Sequence, residues 1–229
     1  MKYSTRQARL EEKTYEALCD LEDEFQIEIE DYPEVRWLGR LGKFEDLGLP
    51  EKYRESVEFN QQSGGSIFLY QPNIIILNKD SVHHRNEEVA HCLHLRTSKP
   101  SLYDKDKKDW FALNVLIEMF GFLGSKILDP SRKNPYSQYP DYFSIASNEG
   151  VNIKEALGPL RDLDDKTLSE FLIHSQGYAL GERMFYAFEE GQLSRERVRK
   201  FLRNKFEKPR QATRTFQRLR KEFWPIVNS

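Results

Sequence analysis

Four of the five histidines in this chain, His83, His84, His91 and His94, fall within twelve positions, interleaved with Glu87 and Glu88. Imidazole nitrogens and carboxylate oxygens are the donors that hold a divalent ion, and a carboxylate beside such an ion can take a proton from bound water. At about 100° per residue, His94, Glu87, His91, His84 and Glu88 follow one another around a single helical stripe about 120° wide. Val89, Ala90 and Leu93 take the opposite side. Glu87 and His91, at i and i+4, reach one ion from consecutive turns. Two rival sets use the same helix: His84, Glu88 and His91, or His91 and His94 with an acid from elsewhere. The plain alternative is a solvated helical face of Glu and His.

Such a stripe needs a helix with a buried back and something rigid in front of it. Asp80 or Ser81 can cap a helix that runs to about residue 95. Ahead of it lies a hairpin: residues 66–70 and 74–78 are apolar runs flanking Gln71-Pro72-Asn73, where Pro presets a turn and Asn tolerates its second corner. Behind it, a charged loop leads to a strongly apolar helix over 109–128, stopped by Asp129-Pro130. Glu118 is a lone acid on that helix, 27 residues after His91. An unpaired buried carboxylate is costly, so it either meets a partner such as Lys126 or serves as a ligand.

The rest of the pattern predicts an amphipathic helix over 5–25 and a strand with one wet face over 25–30. A glycine-punctuated loop region around 39–48 and a short helix over 51–61 follow. Beyond an irregular excursion over 130–140, helices are expected at 141–148, 152–158, 166–190, 194–206 and 210–223. The fold class is α+β, mostly helical, with a small mixed or antiparallel sheet beside the His-rich helix. No linker divides the chain, so residues 1–229 read as one domain, with helix and sheet over 1–80 and the helical remainder over 81–229.

Glu87-Glu88-Val89-Ala90-His91 resembles the His-Glu-x-x-His helix of zincin-like metallopeptidases, with Glu87 in place of the first His. The surrounding order resembles the gluzincin branch over about residues 64–128. The two apolar strands stand where a substrate-binding strand precedes the active helix. Leu116-Ile117-Glu118-Met119-Phe120-Gly121 resembles the next helix, whose Glu is the third metal ligand. The resemblance implies Glu87, His91 and Glu118 as metal ligands, Glu88 as general base, and an extended peptide or protein segment as partner. His174 or Tyr178, on a later helix, would donate to the oxyanion, and Glu182 is a reserve third ligand. With two carboxylates and one imidazole the ligand set gives up the net charge of +1 that two imidazoles and one carboxylate leave on a dication. That weakens activation of water and favours manganese or iron beside zinc, or no metal at all. The implied function is a peptide hydrolase with an altered site or its inactive descendant; the alternative is a peptide- or protein-binding module that keeps the groove.

Bulk composition adds exclusions. A net charge of −2 gives no whole-molecule field for nucleic acid or membrane. Acids outnumber bases 16 to 9 over residues 1–60, and bases outnumber acids 12 to 3 over 195–224, so front and tail can pair. The tail interleaves Phe201, Phe206, Phe216 and Phe223 with its bases, a pattern that suits two amphipathic helices better than a single-stranded nucleic acid. Gly177 and Gly181 let a helix approach closely. Cys19 and Cys92 read as reduced, buried small hydrophobes. No run is expected to reach a membrane span, the richest, over 110–128, being broken by Asn114, Glu118 and Lys126. The expected location is cytoplasmic.

Overall fold

A computed structural model describes residues 2–79, 81–100, 106–139, 142 and 152–223. It is an α+β fold, mostly helical, with one small mixed sheet. Contacts divide it into two compact units.

The first unit comprises residues 1–99, 124–132 and 194–204. Helix α1 (Lys2–Phe25) is amphipathic, burying Leu10, Leu18, Leu21 and Phe25 on one stripe. The strand expected over 25–30 does not form. Gln26 turns at φ 50°, and the Ile27 and Ile29 amides fold back onto the Glu22 carbonyl and carboxylate at 3.0 and 2.7 Å. The apolar–acidic alternation there belongs to a helix terminus. A strand the pattern did not reveal, β1 (Glu34–Trp37), comes just after Pro33. It pairs in parallel with β3 (Ile74–Leu77), which pairs antiparallel with β2 (Ile67–Leu69), giving the order β1-β3-β2. β3 is central and wholly buried, hence its unbroken apolar run. The hairpin turn carries a cis Gln71–Pro72 bond and Asn73 at φ 71°.

Both sheet edges are covered by side chains from helices. Gln7 of α1 donates to the Val35 carbonyl at 2.5 Å and accepts from the Trp37 amide at 2.9 Å, the pair of bonds a neighbouring strand would make. On the other edge, Glu88 accepts the Phe68 amide at 2.7 Å. Leu38, Phe44, Leu47, Val57, Leu69, Ile74 and Ile76 form one apolar cluster against the sheet, with Val57 supplied by α2 (Arg54–Ser63). Helix α3 (Val82–Ser98) packs on α1, and α7 (Arg195–Leu202) packs on both. The acidic front meets the basic tail here: Arg195 pairs with Glu24 at 2.6 Å, and Arg199 donates to the Phe25 carbonyl at 2.9 Å.

The second unit comprises residues 100–123, 133–193 and 205–229. Helix α4 (Lys107–Leu128) is continuous and supplies residues to both units. It is long and apolar enough to cross a membrane by composition, contrary to the expectation from its three polar interruptions; 67% of its most apolar window is buried within the protein. In this unit it meets α6 (Asp165–Glu189) at the two predicted glycines. A Cβ on Gly177 would sit 2.5 Å from Glu118 Cβ, and one on Gly181 2.6 Å from the Met119 carbonyl oxygen. A short α5 (Ile153–Ala156) and a turn after it add Leu157 to a cluster with Tyr142, Leu168 and Leu172. α8 (Gln211–Phe223) is tied to α4 by Asp109, which accepts from the Thr213 amide and hydroxyl at 2.9 and 3.1 Å. Apart from Tyr142, the helix expected over 141–148 lies outside the described residues.

Candidate metal centre

α3 carries the candidate ligands, and its ends are made by backbone. Ser81 is the N-cap in extended conformation without a side-chain cap bond, and Asp80 lies outside the described residues. Lys99 closes the other end at φ 45°, its amide on the Leu95 carbonyl. Between them every residue from Arg85 to Leu95 is buried. The alternative of a solvated Glu/His face does not hold between Arg85 and Leu95: Glu87, Glu88 and His91 are 6%, 8% and 8% exposed, and His94 is fully enclosed. Glu87, Glu88, His91 and His94 of the stripe point into protein, while His84 is half-buried and His83 exposed.

Glu87, His91 and Glu118 each offer a ligand atom within 4.8 Å of the others. Two come from consecutive turns of α3. The third stands on α4, which is set down on α3 by Gly124: a Cβ there would lie 2.6 Å from that of Ala90. Tetrahedral ligation at about 2.1 Å spaces donors about 3.4 Å apart, so a bound ion would draw the three side chains slightly together. This buried cluster could hold a metal ion. Among the described residues neither rival set on α3 converges in this way.

Each member already has a partner. Glu87 pairs with Arg132 at 2.5 Å, both side chains 7% exposed. The same guanidinium donates to the Ser125 hydroxyl and to the His83 carbonyl. Arg132 was not singled out in the sequence, where it sits in the irregular stretch after Asp129-Pro130; its only signal is the need of a buried carboxylate for a cation. Glu118 meets His174 Nε2 at 3.5 Å, and His174 Nδ1 donates to the Glu170 carbonyl at 2.8 Å. Lys126, the alternative partner for Glu118, donates to the Arg132 carbonyl at 3.0 Å.

The structure places the other candidates as follows. One Glu88 oxygen is bonded to the Phe68 amide of β2. Tyr178 is buried in aromatic packing, stacked on Phe122 at 4.6 Å between centroids and edge-on to Tyr136 at 5.3 Å. Its ring lies 6.0 Å from that of His174. Glu182 accepts from Asn134 at 3.2 Å and is not in the cluster. His83 pairs with Asp129 at 3.2 Å. Burial pushes the pKa of His84 down and drives that of His94 to about 3, with the neighbouring His91 adding to the latter. Burial likewise lifts the Cys92 thiol to about 12, so it stays protonated; Cys19, expected to be buried too, is exposed on α1 beside the Tyr32 hydroxyl.

No family model, curated protein or solved structure matches the chain.

Proposed function

We propose that Glu87, His91 and Glu118 bind a divalent metal and that the protein is a zincin-like peptide hydrolase with an altered metal site. The observation that carries this is the convergence of the three ligand atoms within 4.8 Å in a buried setting. Electrostatics supports it. Two carboxylates and a neutral imidazole bring −2, and the Arg132 guanidinium on Glu87 returns +1. Ligands plus Arg132 therefore sum to −1, the charge of two imidazoles and one carboxylate, and a dication restores the net +1 that activates water. Zinc suits the imidazole; the oxygen-rich remainder also suits manganese or iron.

Glu88 has the role of general base, and its bond to the Phe68 amide defines a resting state. An extended peptide pairing along β2 would take that amide for its own carbonyl and free the Glu88 carboxylate to accept a proton; an ion held by the cluster would supply the activated water. His174, beside Glu118, is the candidate oxyanion donor in its doubly protonated form, since the Glu170 carbonyl holds its Nδ1 proton, whereas the packing of Tyr178 supports a structural role. The same Glu88 bond favours the second reading, a binding module without turnover, in which Glu88 holds the edge strand permanently and Arg132 serves as a built-in cation.

Elemental analysis of untagged protein purified without chelator tests the proposal. Stoichiometric metal, lost in His91→Ala and Glu118→Ala, is expected, with metal-dependent cleavage of a peptide library that Glu88→Gln abolishes. Metal-free protein whose thermal midpoint is unmoved by zinc, manganese or iron would overturn it. Metal without cleavage would select the second reading.

A further inference from the structure

A second feature lies away from the metal cluster, at the carboxyl ends of the parallel strands β1 and β3. An open cavity of about 1010 Å³ is lined by the residues that leave those strands, Trp37 to Gly42 from one and Asn78, Lys79 and Ser81 from the other. The next residue, Val82, begins the 17-residue α3. Crevices beyond the carboxyl ends of parallel strands are where open α/β sheets bind ligands, and a helix N-terminus adds amides and a positive dipole end.

Three independent facts give the cavity a chemistry. Its rim is cationic: among the described residues Arg6, Arg40 and Lys79 contribute to the wall, against one acid, Asp46, whose carboxylate is bonded to the Lys43 amide at 3.0 Å. Among the described residues neither Arg40 nor Lys79 forms an ion pair. The loop bearing Arg40 is held in place, because Gln61 donates to the carbonyls of Gly39 and Gly42, each at 2.8 Å. Asn78 is 1% exposed; its Nδ2 donates to the Gly65 carbonyl at 2.7 Å, which fixes the amide, and its Oδ1 has no partner. A buried acceptor left without a donor is destabilising, and such groups are rare in native proteins. Asn78 lines the cavity, so a ligand donor that displaces the thin cover over Oδ1 would satisfy it.

We propose that this cavity binds a small phosphate ester bearing a hydroxyl or amino group. The phosphate dianion lies at the start of α3 between Arg40 and Lys79, and the ester's donor meets Asn78 Oδ1. Nucleotides and sugar phosphates share this chemistry.

Calorimetric titration of the full chain with AMP, ribose 5-phosphate and inorganic phosphate, in EDTA, tests the assignment without involving the metal cluster. One ester site per chain is expected, at least tenfold tighter than inorganic phosphate. Equal binding of both esters assigns the ribose phosphate moiety, and binding of AMP alone assigns a nucleotide. Arg40→Glu, on an exposed side chain, is expected to weaken the ester at least tenfold. Asn78→Leu is expected to erase the preference over inorganic phosphate. Absence of binding by all three compounds, or ester affinity unchanged in Arg40→Glu, would overturn the proposal.

Discussion

The two regions that meet along α3 treat charge in opposite ways. In the middle of the helix, Glu87 and Glu88 are buried and matched from within, by Arg132 and by the Phe68 amide. At its N-terminal end, Arg40 and Lys79 stand on the wall of an open cavity and, among the described residues, form no ion pair, while Asn78 Oδ1 is buried without a donor among them. Internal matching serves stability first, because a buried charge stripped of its partner is costly. Unmatched groups at a cavity wall contribute little to stability and serve a ligand. Variants in the first region should therefore be read in unfolding experiments, and those in the second in binding experiments.

The largest effect is expected at the Arg132–Glu87 pair. Arg132→Ala leaves the Glu87 carboxylate buried without its cation and should lower stability by about 3–5 kcal/mol in urea titration. Converting both partners together, as Arg132→Met with Glu87→Leu, should recover most of that loss, since the interior then holds no orphan charge. A double variant no more stable than Arg132→Ala would show that the guanidinium acts through Ser125 and the His83 carbonyl instead. Adding saturating zinc to Arg132→Ala should restore part of the stability if a cation at the cluster can replace the guanidinium.

How far these regions were legible in the sequence differs for the same reason. The α3 stripe could be read because Glu87 and His91 obey the helical period, and Glu118 because it is a lone acid on the following apolar helix. The Gly177/Gly181 spacing likewise announced the close approach of α6 to α4. Arg132 could not be read: it lies 45 residues from Glu87 and only the fold brings them together. β1 escaped because four residues with mixed burial carry no alternation, whereas 25–30 alternated and proved to be a helix end. The cavity was hidden with β1, since its walls depend on two strands being parallel neighbours. Burial of Glu87, Glu88, His91 and His94 was also out of reach, because periodicity tells which residues share a face and not what covers it.

Glu88 separates a structural from a catalytic use of one carboxylate. Glu88→Ala removes an ionised acceptor from a buried backbone amide and should cost about 1.5–3 kcal/mol. Glu88→Gln keeps an acceptor oxygen and should recover at least half of that. If Glu88 is the base, both variants lose peptide cleavage equally while differing in stability. Parallel loss of activity and stability would assign the residue to the edge strand alone.

The enclosed imidazole of His94 gives the first region a pH signature. Its folded pKa, about 3, lies below the unfolded value near 6.5, so the unfolded chain binds the extra proton. Stability from this group is complete above pH about 6.5 and falls as the pH is lowered towards 3. The limiting slope is about 1.4 kcal/mol per pH unit. His94→Leu in EDTA should flatten the stability–pH curve between pH 6 and 4, measured against the unsubstituted protein. An unchanged slope would place the acid sensitivity on the carboxylates.

The smallest stability effect is expected where the binding effect is greatest. Arg40 is exposed, and among the described residues its guanidinium has no partner that its removal would leave orphaned, so Arg40→Ala should move the unfolding free energy by no more than about 0.5 kcal/mol. Removing one cation from the rim should slightly lessen the repulsion among Arg6, Arg40 and Lys79, which makes a small gain in stability the expected sign at low salt. That gain should vanish when a phosphate ester is added, because the ester binds more tightly to, and so stabilises more, the protein that still carries the arginine. A thermal midpoint for Arg40→Ala that lies well below that of the unsubstituted protein would mean the loop arginine is part of the internal charge matching. The contrast between the two ends of α3 would then not hold.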